Sequence, residues 1–234
     1  MEKPFRHPKI TWFLAFLLCW FLFSCAQYDL KQPGGGVILR FMLDREPSQN
    51  ESLSFQGGNM DIESIVFAGD RDNGEDITFI SDFGTIVSAD LSTGNTEPVI
   101  EFDIPRGTYN EITLFVDPDD AAPDIVVTGR YIPALLGTPI PIQLEIDLPG
   151  HLSLIATPSD PNSNVILHDD SRATIEIFLN PSHWFADIPV VALEAAELGE
   201  VGGVPSIVIS KDLNPEIYSK LSTLVQASAE AIFK

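Results

Sequence analysis

From Val37 to about Leu179 apolar and polar residues alternate with a period of two, the spacing of side chains on opposite faces of a β-strand. The clearest run places Ile140, Ile142, Leu144, Ile146 and Leu148 on one face, and Gln143, Glu145 and Asp147 on the other. This predicts a half-buried strand, and Pro141, which cannot donate to a ladder, sets its start at a sheet edge. Similar runs cover residues 37–43, 62–68, 77–81, 85–91, 99–104, 109–116, 125–131, 152–156, 165–168 and 173–179. Turn residues separate nearly all of them, among them Gly57-Gly58, Asn73-Gly74, Gly94-Asn95, Pro149-Gly150 and Pro161-Asn162. Short strands punctuated at this spacing predict a mainly β domain, an antiparallel sandwich or barrel and not a βαβ fold, and we take it as an antiparallel β-sandwich over residues 37–180.

The period changes after Asn180. Residues 181–205 are irregular, with one short helical turn expected over 192–198, and 207–210 reads as a last short strand. Asn214 then offers an N-cap, Pro215 a first helical residue and Glu216 a favourable first-turn acid. Ile217, Leu221, Leu224, Val225, Ala229 and Ile232 form one stripe. The C-terminal extension, 181–234, is therefore expected to carry an α-helix over about 215–233 that packs on the sandwich.

At the other end Lys3, Arg6 and Lys9 precede an unbroken apolar run from Trp12 to Phe23. That run is shorter than the roughly 20 apolar residues a membrane-spanning helix needs and has the build of an export signal. It closes on Leu22-Phe23-Ser24-Cys25, which resembles the lipobox of bacterial lipoproteins, with Phe23 bulkier than the usual middle residue. The resemblance implies cleavage of a signal peptide at residues 1–24, lipidation of Cys25, and a membrane anchored protein that does not span the bilayer. Residues 25–36, ending in Pro33 and three glycines, then form a tether. With Cys19 in the discarded segment and Cys25 acylated, no thiol is left for a disulfide, a metal site or a nucleophile.

Charge narrows the partners. The 234-residue chain holds 34 acidic and 13 basic residues, a formal net charge of −21. Removing residues 1–24, with their three basic side chains and Glu2, takes this to −23. Nucleic acid is excluded as a partner, because phosphate contacts need clustered Lys and Arg.

Candidate chemistry is sparse. Asp70, Asp72 and Asp76 surround Asn73-Gly74 in the spacing a hard cation asks of a loop, so calcium is the one candidate cofactor, weighed against a solvated hairpin turn. The glycine falls one place early for an EF-hand, and residue 81, where the bidentate Glu belongs, is Ser. Asp117-Pro118-Asp119-Asp120 and His168-Asp169-Asp170 read as polar turns. His151, His168 and His183 stand in no metal or triad spacing, and no Gly-rich phosphate loop precedes a helix, so no enzymatic activity is expected. Trp184, with His183 and Phe185, is a candidate ligand platform for a glycan or protein, the alternative being a plug at the end of the sandwich.

Ile104-Pro-Arg-Gly-Thr-Tyr-Asn-Glu-Ile112 joins two strands through a turn that buries Tyr109 near a corner. With the lipobox and the strand spacing, it resembles bacterial lipoproteins built on an immunoglobulin- or transthyretin-like sandwich. That resemblance implies a cell-envelope location, at the outer membrane, and a noncatalytic binding or structural module. A second resemblance is to the lipoprotein fimbrial subunits of some Gram-negative anaerobes, in which cleavage after an arginine near the first strand opens a groove for strand exchange. Arg40 and Arg45 stand in or just after the first strand here.

Overall fold

The computed structural model describes residues 35–45, 52–119, 123–134, 137–168 and 172–234. Cys25, the segment before it and the tether as far as residue 34 lie outside them, while Gly35 and Gly36 already belong to the first strand. Strand β1 (Gly35–Leu43) leads into the long β2 (Leu53–Arg71) and β3 (Ile77–Asp90), followed by β4 (Asn95–Glu97) and β5 (Glu101–Ile104). Next come β6 (Gly107–Pro118), β7 (Ile125–Tyr131), β8 (Ile140–Ile146), β9 (Leu152–Pro158), β10 (Val165–Leu167) and β11 (Ala173–Leu179). Two short helices, α1 (Pro181–Trp184) and α2 (Val190–Glu194), precede β12 (Leu198–Val201) and β13 (Val204–Ile209). The chain ends in α3 (Pro215–Ser228) and β14 (Glu230–Phe233).

The expected mainly β protein with a C-terminal helix is what forms. The strands make one curled sheet in the order β12-β13-β8-β7-β2-β6-β9-β14-β11-β1-β5, with β10 on β6 and the β3–β4 pair on β2. The sheet is mixed: β1 with β11, β13 with β8, and β14 with β9 run parallel, where antiparallel pairing was expected throughout. Parallel neighbours need long connections, and more than a hundred residues separate β1 from β11. Strand β2 changes neighbours along one edge, from β7 beside Leu53–Met60 to β6 beside Ile62–Arg71, while β3 follows its other edge. Curling brings the inward faces of the strands around one apolar core that also takes in Trp184, Leu193, Leu221 and Val225.

One expected turn is absorbed into a strand, and two expected strands join into one. Gly57-Gly58 lies inside β2, because β7 passes so close that a Cβ at Gly58 would stand 2.0 Å from the Val126 carbonyl oxygen. Gly84, at φ +62°, keeps 77–81 and 85–91 in one strand by bulging β3 opposite Glu63.

At the C-terminus the expected helix over 215–233 stops at Ser228, and Ala229 turns extended. Ala231 and Phe233 then alternate inward, and β14 fills the slot between β11 and β9. Nor does the Asn214 side chain cap α3. Its residue is left-handed (φ 60°, ψ 48°), and its amide donates to the Val208 carbonyl at 2.7 Å and the Glu197 carbonyl at 3.0 Å while accepting from the Glu197 N–H at 2.8 Å. It ties the helix start to β13 and to the segment before β12. Among the described residues no helix is long and apolar enough to cross a membrane.

Candidate functional site

The sequence candidates are scattered. Asp70 stands at the exposed end of β2, and Asp72 and Asp76 stand on the exposed turn that follows, each with its own hydrogen-bond partner. Asp70 accepts from the Asn110 amide at 3.3 Å, Asp72 from the Asn73 amide at 2.7 Å, and Asp76 from the Arg71 N–H at 3.4 Å. They do not converge, and among the described residues no three His, Cys, Asp or Glu side chains are gathered as a metal ion needs. Trp184 is not an exposed platform. Asn180 caps α1 by accepting from the His183 N–H at 2.9 Å, and this turn drives the indole into the core, where its Nε1–H donates to Ser228 Oγ at 2.6 Å. Phe185, stacked on Phe55 at 5.6 Å, is buried beside it, so the plug is the role the residue has. Cys25 lies outside the described residues.

Tyr109 is buried at the corner as expected, its hydroxyl donating to the Pro105 carbonyl. Burial pushes its pKa up to about 12, against the opposing pull of the Arg71 charge.

The chemistry gathers instead at a cleft of about 630 Å³ on the outer face of the sheet. Register builds one wall. Ser64 on β2 faces Asp82 on β3 and Asp117 on β6, and its hydroxyl donates to Asp117 Oδ2 at 2.8 Å. The segment after β6 adds Asp119, whose N–H is bonded to the Asp61 carbonyl at 3.1 Å, and Asp124, whose own carbonyl accepts from the Asp61 N–H at 3.1 Å. The turn after β8 brings Asp147, Leu148 and His151, and Lys211 reaches over from the loop before α3 to pair with Asp147 at 2.5 Å. Ile80, Pro118 and Leu148 supply apolar surface, and Glu63, opposite the β3 bulge, a further carboxylate. The His151 ring stands edge-on to Phe115 at 5.3 Å.

Asp124 is the most confined of these acids, only 6% exposed, and its Oδ2 accepts from the Leu148 N–H at 2.5 Å. Burial raises its pKa above the usual 3.8; the Leu148 bond opposes that, while the Asp147 and Asp119 charges add to it and Lys211 subtracts. Tyr218, on α3, is raised chiefly by burial, and its hydroxyl donates to Asp147 at 3.3 Å. Lys211 is raised by its bond to Asp147. Six carboxylates thus share a concavity with one ammonium, one imidazole and some apolar surface. Such a wall attracts cations and repels acidic molecules.

Sequence reading took Asp117 and Asp119 for an isolated polar turn. No window could reveal the cleft, because its residues come from six separate stretches joined by register. The one available sign was that acids recur in or just after strands along the chain: Asp82 within β3, Asp117 near the end of β6 with Asp119 just past it, and Asp147 just after β8.

No family model matches the chain, and no curated protein or solved structure matches it. The function must therefore be argued from this geometry and from the sequence.

Proposed function

We propose that the chain is a lipid-anchored protein of the cell envelope, held at the outer membrane through Cys25, that works as a noncatalytic binding module with the acidic cleft as its binding face. The observation that carries the binding role is the condition of the cleft carboxylates. Asp117 is held by Ser64, Asp124 by the Leu148 N–H, and Asp147 by Lys211 and Tyr218. Groups fixed in this way hold a standing negative field, which suits recognition of charge better than proton transfer to a substrate. The anchor is supported by the apolar run that ends in Leu22-Phe23-Ser24-Cys25. The same reading takes the two arms of the curled sheet as the layers of an immunoglobulin- or transthyretin-like sandwich, a resemblance the Tyr109 corner supports.

Metabolic labelling with a fatty-acid probe tests the anchor. The wild-type chain is expected to carry label and to partition with membranes, and a Cys25→Ser chain to lose both. Membrane retention and labelling unchanged in that variant overturn it.

A further inference from the structure

The edge of β3 is open where it borders the cleft. β4 pairs only with Ser88–Asp90, and among the described residues nothing pairs with the outer edge of β3 from Ile77 to Val87. The bulge at residues 83–86 leaves Ile77–Asp82 as the regular stretch, paired residue for residue with β2. Along it the outward side chains are Thr78, Ile80 and Asp82, and Ile80 is 72% exposed, unusual for an isoleucine in a strand. Each begins a row across the sheet. Asp82 leads to Ser64 and Asp117, and Ile80 leads to Val66 and Phe115.

A free edge invites pairing with any extended chain, and proteins guard such edges with charge. Here the guard has one sign. A second copy of this chain, at a formal charge of −21, would set its own acids against Asp82 and the cleft, whereas a basic segment would meet them favourably. We propose that residues Ile77–Asp82 accept, by strand addition, an extended basic segment of a partner protein. One of its apolar side chains lies beside Ile80, and a Lys or Arg two positions along lies beside Asp82 and reaches the cleft carboxylates. Backbone bonds supply affinity, and the alternating side chains supply selection. This rests on the binding reading above and names the partner's chemistry; the Cys25 labelling reports on the anchor separately.

The test is fluorescence anisotropy of the full-length chain in mild detergent against a labelled octapeptide made of two Thr-Val-Thr-Lys repeats, which sets a valine and a lysine two positions apart on one face of the strand. Saturable binding is expected, weakened at least tenfold by Ile80→Lys and by Asp82→Lys. Glu200→Lys, the same change of charge on β12 at the far end of the strand order, is expected to leave it within twofold. Methylating alternate backbone nitrogens of the peptide is expected to abolish binding. Asp82 also accepts from the Gly84 N–H at 3.0 Å, so Ile80→Lys, at a side chain with no such tie, is the deciding variant should Asp82→Lys disturb the bulge. The proposal is overturned by no saturable binding, by equal weakening in Glu200→Lys, by indifference to backbone methylation, or by self-association of the chain that Ile80→Lys removes.

Discussion

Replacing Trp184 separates a core role from a surface one. The indole is fully buried, and an aromatic of this size removes roughly 200 Å² from water, which at about 25 cal/mol per Å² stabilises the fold by at most about 5 kcal/mol. Truncating large buried aromatics costs about 3–5 kcal/mol, and Trp184→Ala is expected in that range. Ser228→Ala keeps the ring and leaves its N–H unpaired in the core, a cost of about 1–3 kcal/mol. The two should not add. With the indole gone, Ser228 retains only its bond to the Val225 carbonyl at 3.3 Å, so the double variant should fall short of the sum by about 1 kcal/mol. Urea unfolding followed by far-UV circular dichroism measures this without relying on tryptophan emission. In a unit of about 200 residues each kcal/mol moves Tm by about 2–4 °C, so Trp184→Ala should melt at least about 6 °C lower. A Trp184→Ala chain within about 0.5 kcal/mol of wild type, the usual range for surface changes, would refute the buried placement.

Three further outcomes follow from the same geometry. Because burial raises the pKa of Asp124, its contribution is fully present below the unfolded value of 3.8 and is lost as pH rises through the folded one, so Asp124→Asn should gain in Tm relative to wild type between pH 4 and pH 7; a difference independent of pH rejects this. Since Asp70, Asp72 and Asp76 do not converge, millimolar calcium should leave Tm unchanged in wild type and in an Asp70→Ala, Asp72→Ala double variant alike, and a calcium-dependent rise that the variant loses would restore the loop as a metal site. Trypsin should spare Arg40 in the native chain, because its flanking residues Leu39 and Phe41 are locked in the core; clean cleavage there followed by heat-stable polymers would favour the fimbrial alternative.

How much of this the residues disclose depends on the distance over which each feature is decided. Alternation is local, so the expected bounds of 125–131 and 173–179 match β7 and β11 end for end. The helix start is local too, and Pro215 opens α3 as expected. Its end is not. Ala229 and Ile232 continue a helical stripe as well as Ala231 and Phe233 fit a strand, and the open slot between β9 and β11 decides between them. Gly57-Gly58 looks like a turn until β7 lies against it. Composition shows the large negative charge, yet its concentration at one cleft depends on Ser64 facing both Asp82 and Asp117.

The same registers bear on how the proposed anchor would act. Ten residues from Cys25 to Gly35 span at most roughly 35 Å, so a lipidated Cys25 would pull on β1 through a short leash. That strand is flanked by β11 along Val37–Leu43 and by β5 along Gly35–Ile38. Force along it would have to slide the whole register, and a slip of one residue would turn Val37, Leu39 and Phe41 out of the core together. A lipidated Cys25 would thus load the first strand along its whole register, while the proposed partner segment would add at the edge of β3.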